Sequence, residues 1–425
     1  MNMRHLTVAL LLSILILVPW LAFNYPNEIR VATNTLASAL ADAVDQLAAV
    51  IMHNPRTIAG IQSKYDIAAK QGAAKVRILV VPGHEPGYGG AEFGSLKERD
   101  MTVELAGYLD QFLRQNGRYE VFTTRDANSW LPPFADYFKE HWNDIVDWEK
   151  SYHTEQSRLI SVGAIPKPKV MVYHNTAPAD VATRLYGITK WANENNIDIT
   201  IHIHFNDYPG HANGVAGEYS GFAIYVPSAM YLNSTTTKAV ADAVFNRLKK
   251  YNPVSNMPDE KAGVIDDPEL IAVGANNTAD SASMLIEYGY IYEPQFVDPD
   301  TRSLALKDLA FQTYLGLQDF FGAGNNYSLA YDTLVLPYRW QREMSVKSAP
   351  GDDIYALQSA LTFGGLYPPN DKSKNDCPRT GTFGACTMAA LADFQKENGI
   401  TGENGVTGPK TLQALNKQFG SAVGI

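Results

Sequence analysis

The sequence is short of positive charge: 35 Lys and Arg stand against 45 Asp and Glu, a net charge of −10, and no run of Lys and Arg breaks that balance. Nucleic-acid binders usually carry a basic excess or stripe, so no nucleic-acid partner is expected. A G-x-S-x-G elbow is missing, which argues against a serine hydrolase of that kind. Cysteine is nearly absent, and neither Cys377 nor Cys386 has a nucleophile-like setting. These two lie close together in CPRTGTFGAC, and in an oxidising compartment they either close a short loop as a disulfide or stay as separate thiols. No long internal repeat occurs. Long apolar runs are scarce too, with the exception of Leu6 to Phe23, LTVALLLSILILVPWLAF, which carries no charge.

That run reads as a signal anchor or signal peptide over 1–23. Arg4 on its short N-terminal side fits a cytoplasmic start. The small-x-small pattern Ala37 to Ala39 lies too far downstream for a cleavage site, which favours an uncleaved anchor in the membrane. Either way the rest is exported, giving an extracytoplasmic, cell-envelope location.

What is present is an ordinary globular composition, 45% hydrophobic over 425 residues, enough for two or three domains with real cores. Residues 24–74 read as an Ala-rich helical spacer. From Val76 the order is the buried strand VRILVV, the loop PGHEPGYGG, a helix over RDMTVELAGYLDQFLRQNG and the strand YEVFTT. That alternation predicts an α/β domain over 75–322, a mixed, mostly parallel sheet flanked by helices. An aromatic, charged and irregular insertion is expected at about 130–178. The helix DVATRLYGITKWANENN, the strands DITIHIHFND, GFAIYV and ASMLIEYGYI, and the helix SLALKDLAFQTYLGLQDFF complete it. A mixed linker over 323–350 leads to a small all-α unit at 351–420.

Three of these strands end in polar residues suited to metal work. VVPGH delivers His84, IHIH delivers His202 and His204, and SMLIE delivers Glu287. In open α/β sheets, sites form at the carboxyl ends of strands. Glu98 opens the helix ERDMTVEL, where a carboxylate also complements the helix dipole. Glu287 follows an apolar run, and an unpaired buried carboxylate is costly unless a metal, a salt-bridge partner or a catalytic task accounts for it. Two nitrogen ligands, one oxygen ligand and an open position are the make-up of a catalytic zinc site.

Taken together these residues resemble the zinc-dependent N-acetylmuramoyl-L-alanine amidases of peptidoglycan. The likeness runs from about Val76 to Phe321 and rests on four motifs in order: VPGHEPGYGG, KERDMTVEL, HIHFND and LIEYGYI. The resemblance implies Zn2+ held by His84, Glu98 and His204, with Glu287 as the catalytic glutamate. Glu92, in the glycine loop, is the rival to Glu98. Val81 stands where such amidases often have Asp, and His202 where a small Ser is usual. Same-face neighbours on a strand are about 6.6 to 6.8 Å apart, too far for both histidines to reach one zinc at ~2.0 to 2.1 Å. His204 is nearer the strand's end and is the expected ligand; His202 is expected to be a satisfied structural histidine or a substrate-side group.

The C-terminal unit resembles the small helical peptidoglycan-binding domain of wall hydrolases, through IYALQSAL, GTFGACTMAALADFQKENGI and NGVTGPKTLQAL. Leu357, Leu361, Ala390, Phe394, Leu412 and Leu415 have helical spacing and form its expected core. The stretch holding both cysteines replaces a plain turn of that domain. The function implied is hydrolysis of the amide between N-acetylmuramic acid and L-alanine in peptidoglycan, a zinc-bound water attacking with Glu287 as general base. The alternatives are a wall-binding scaffold with a degenerate amidase fold, kept open by Val81 and His202, and a zinc peptidase acting on the stem peptide.

Overall fold

The computed structural model describes residues 54–421, apart from 164, 168, 170–175, 208–209, 275–279 and 324–331. The expected membrane segment, and the spacer as far as residue 53, lie outside the described residues. Among the described residues no helix is long and apolar enough to cross a membrane. Residues 54 and 154–167 belong to one compact unit and the remaining described residues to another, which is the subject below.

Helix α1, Ile58–Ile67, starts where the Thr57 side chain accepts from the Gly60 N–H. Strand β1 is Val76–Pro82. Two short strands, β2 (Glu92–Phe93) and β3 (Leu96–Lys97), make a hairpin that runs directly into α2, Glu98–Gln115. Strand β4 is Tyr119–Thr123. The region expected to be irregular contains α3, Phe134–Glu140, and α4, Trp142–Ser161. Its aromatic residues hid a helical pattern: Phe134 and Phe138 lie one turn apart on α3 and, with Ile145 of α4, bury in one cluster with Leu79, Val81 and Trp191. Then come α5 (Ala179–Glu194), β5 (Ile199–Asn206), β6 (Ala223–Pro227) and α6 (Ser234–Tyr251). Strand β7 (Val264–Asp267), too short and acidic to stand out in the sequence, precedes β8 (Ala282–Tyr290), α7 (Pro294–Val297) and α8 (Pro299–Phe320).

The sheet order is β4-β1-β5-β8-β6-β7. Strands β4, β1, β5 and β8 pair in parallel, β6 is antiparallel to β8, and β7 runs with β6. It is the mixed, mostly parallel sheet expected. Alternation along β5 sends Ile199, Ile201, Ile203 and Phe205 into one core with α2, α6 and α8, and Thr200, His202, His204 and Asn206 to the other face. Because the parallel strands share a direction, the carboxyl ends of β1, β5 and β8 open into one crevice.

Three helices, α9 (Asp352–Phe363), α10 (Ala385–Glu397) and α11 (Pro409–Phe419), make the C-terminal module. Leu357, Leu361, Ala390, Phe394 and Leu415 are buried as expected, with Leu412 at the edge of the same cluster. A cavity of about 200 Å³ opens between its helices, lined among others by Leu361, Leu366, Phe394, Asn398 and Phe419. Cys377 and Cys386 are joined as a disulfide.

Candidate active site

Glu98 is the hub. The hairpin turns the chain so that α2 begins at the crevice, and the carboxylate, 3% exposed, is held by backbone donors from two elements. Its Oε2 accepts from the Ala91 N–H (2.8 Å) and its Oε1 from the Phe205 N–H (3.0 Å). The β5–β8 register shifts between His204 and Asn206, and the Phe205 N–H turns to Glu98 at that irregularity.

Two histidines converge on this carboxylate. His84 Nε2 lies 2.8 Å from Oε2 and His204 Nδ1 lies 3.1 Å from Oε1. The rings stand edge-on, 4.8 Å between centroids, and candidate ligand atoms of all three residues lie within 4.8 Å of one another. His84 Nε2 is buried yet makes no aligned hydrogen bond despite its closeness to Oε2. Two electron-rich atoms crowded together without a proton aligned between them are a donor pair suited to a cation. The donor set, two imidazoles and a carboxylate, matches a catalytic zinc centre.

Burial alone would raise the Glu98 carboxyl, but the closely facing His84 and the bond from His204 overturn that and hold it far below the usual carboxylate range. Burial lowers His204, only partly offset by its bond to Glu98, so its imidazole favours the neutral form that binds metal.

Glu287 lies directly opposite His204 in the parallel β5–β8 register. It stays partly accessible, its Oε2 has no hydrogen-bond partner, and burial followed by the charges of Glu98 and Glu260 pushes its carboxyl well up. Glu92 is not part of this group: it is exposed on the hairpin and pairs with Arg99 at 2.8 Å. His202, one pleat back from His204, is buried at 1% exposure and its Nε2 has no partner, so it is neither a member of the cluster nor the satisfied structural histidine expected.

The support that Val81 does not give comes from Arg125, which the sequence reading missed. Its guanidinium is 1% exposed and donates to the Gly83 carbonyl through Nη2, to Pro82 O through Nε (3.3 Å) and to Arg99 O (3.0 Å). Thr102 Oγ1 donates to the same Gly83 carbonyl at 3.2 Å. This brace fixes a turn in which His84 adopts φ +68°, a left-handed conformation that costs a side-chain-bearing residue about 1–3 kcal/mol and persists where the surroundings impose it. Gly83 is required for a different reason: a Cβ there would sit 2.5 Å from the His204 ring. The available signal was position, since Arg125 follows β4 at the same end of the sheet as the other site residues.

Two further carboxylates frame the crevice. Glu260, fully buried, accepts from Asn206 Nδ2, the Tyr225 and Tyr290 hydroxyls and Ser255 Oγ, and so anchors the end of β5. Nothing in its sequence context marks it. Glu85, next to His84, accepts from Arg184 Nε at 2.7 Å and from Trp130 Nε1 at 3.2 Å, which ties the inserted region and α5 to the loop bearing His84.

Residues 78–312 match the family described as N-acetylmuramoyl-L-alanine amidase, and residues 350–415 match a putative peptidoglycan binding domain. Among solved structures, the chain is similar to the CwlD amidase from Clostridioides difficile in complex with the GerS lipoprotein, with 18% identity, 58% of this chain and 99% of that one covered, and a TM-score of 0.39. It is also similar to the apo form of Ami1 from Mycobacterium abscessus (16% identity, 58% and 99% covered, TM-score 0.37) and to AmiC2 of Nostoc punctiforme (16%, 59% and 99%, TM-score 0.35). No curated protein matches the sequence significantly. The amidase match takes in more than half of the chain: the protein belongs to the N-acetylmuramoyl-L-alanine amidase family and is a peptidoglycan amidase.

Proposed function

We propose that the chain hydrolyses the amide between the lactyl group of N-acetylmuramic acid and L-alanine, with Zn2+ held by His84, Glu98 and His204. The observation that carries this reading is one buried carboxylate gripping histidines from two strand ends, with an unpartnered carboxyl in register beside it. When bound there, zinc would acidify water and polarise the amide carbonyl.

The chain's own residues supply the proton handling and the geometry. Glu287 takes the proton of the attacking water and passes it to the leaving amine of L-alanine. Its partly open position and its raised proton affinity suit both halves of that task. Arg125 and Thr102 keep the His84 turn in place, and Glu260 holds Asn206 so that His204 stays fixed at the end of β5. The wall-binding module supplies residence on the polymer through its cavity between α9, α10 and α11. Action on the wall places the protein outside the cytoplasm, where the Cys377–Cys386 disulfide is at home.

The test is mass spectrometry of fragments released from purified peptidoglycan, with and without chelator. New amino termini on L-alanine that vanish with chelator support the reading. New termini further along the stem make it a peptidase, and release that chelator does not touch removes the metal.

A further inference from the structure

A binding module that only raises local concentration can hang on a mobile tether. The contacts here describe something else. Arg379, in the loop closed by the disulfide, is 4% exposed and reaches across to the catalytic domain. Its Nη2 donates to Asp308 Oδ2 on α8 (3.0 Å) and to Asn252 Oδ1 (3.1 Å), and its Nε to the Tyr251 carbonyl at the end of α6 (3.1 Å). Its guanidinium lies between Tyr251 of one domain and Tyr355 of the other, 5.0 and 4.9 Å from the ring centroids. Asp308 is fully buried. Removing the guanidinium while the domains stay docked would strand the Asp308 carboxylate buried and unpaired, the costly way to break such a pair.

The residues just before this loop face the same way. Lys374 Nζ donates to Lys249 O and Asn375 Nδ2 to Val254 O, each at 2.8 Å. On its inner side the loop is fastened to its own module. Gln358 Oε1 accepts from the N–H groups of Thr380 and Gly381, the Tyr367 hydroxyl donates to Pro378 O, and the disulfide ties Cys377 to the start of α10. Buried apolar residues of the two domains form one continuous cluster, joined by Val335, Leu336, Trp340 and Met344.

The place of contact matters. Strand β8 ends at the crevice and α8 starts nearby, while β6 runs away from the crevice and α6 returns towards it. Tyr251 and the first turns of α8 therefore lie at the crevice level of the helical layer. From there Ser255 and Asn206 share the Glu260 carboxylate.

We propose that the disulfide-closed loop 377–386 is a clamp that docks the wall-binding module on α6 and α8, so that module and catalytic domain work as one rigid body holding glycan at a fixed offset from the crevice. The part concerning glycan rests on the amidase reading; the clamp itself does not.

Three preparations of the full-length chain test it: native, native with the disulfide reduced, and Arg379→Gln. Small-angle scattering and calorimetry report the clamp without reference to activity. The native chain is expected to scatter as one compact particle and melt in one transition. Reduction and Arg379→Gln should each enlarge the maximum dimension and split the melt in two, and should lower digestion of intact sacculi at least tenfold while turnover of a soluble muramyl peptide holds. A native chain that scatters as an ensemble of separated domains overturns the clamp. So do released modules with an unchanged ratio of polymer to soluble turnover, and a reduced chain indistinguishable from the native one even where Arg379→Gln does not fold. A native chain inactive on both substrates but compact would sink the amidase reading and leave the clamp standing.

Discussion

Arg125 and His202 are two buried cationic-type side chains with opposite solutions to burial. Burial draws the Arg125 guanidinium down to about 10, yet it stays charged at neutral pH because it has carbonyls to hold. Replacing it with Met keeps the volume and removes the brace on Gly83. Metal affinity should fall about 10–100-fold, read by competition with a chromogenic chelator, with little change in far-UV circular dichroism. His202 has no partner, so burial, with the His204 charge adding to it, pulls its imidazole down to about 3 from 6.5. Because the folded value is the lower one, the unfolded chain takes up a proton first as pH falls. Stability from this site is intact above 6.5 and drains away between 6.5 and about 3, at about 1.4 kcal/mol per pH unit. Urea midpoints at pH 7 and pH 4.5 should therefore diverge less in His202→Leu than in the native protein; an equal divergence would mean that His202 is protonated in the fold.

Strands and turns decide which side chains meet. Alternation along DITIHIHFND put both histidines on one face, and the pleat spacing separated them: the structure brings His204 to Glu98 and leaves His202 behind it. That much was legible because strand periodicity is a local property of sequence. The strands β1, β4, β5, β6 and β8 and the opening of a helix at Glu98 were legible for the same reason. Arg125 and Glu260 were not, since each acts through partners more than twenty residues away, Gly83 for one and Asn206 for the other. The helices α3 and α4 were hidden because aromatic residues serve their buried face and mask the usual aliphatic rhythm. Gly83 shows how tight the turn is. Gly83→Ala would drive a Cβ into the His204 ring, and a displacement of about 1 Å at a site like this can cost about 10²-fold in rate. The expected outcome is a loss of that order in activity with the melting temperature nearly kept; full activity would show that the turn relaxes freely.

At the level of the whole molecule, a mixed sheet gathers the site and a helical module sits on the helices that flank it. The net charge of −10 disfavours phosphate polymers as partners, and the amidase and peptidoglycan-binding matches point to the wall as the extended substrate. In the proposed mechanism metal, histidines and Glu287 act together, so removing any one should abolish release without unfolding the chain. The most direct measurement is fragment analysis by mass spectrometry on Glu287→Gln beside the native protein, with metal content determined on both. The account predicts that the native protein frees the amino group of L-alanine, that Glu287→Gln frees none, and that both retain about one zinc per chain. Free L-alanine termini produced by Glu287→Gln, or by either protein with no metal bound, would contradict it.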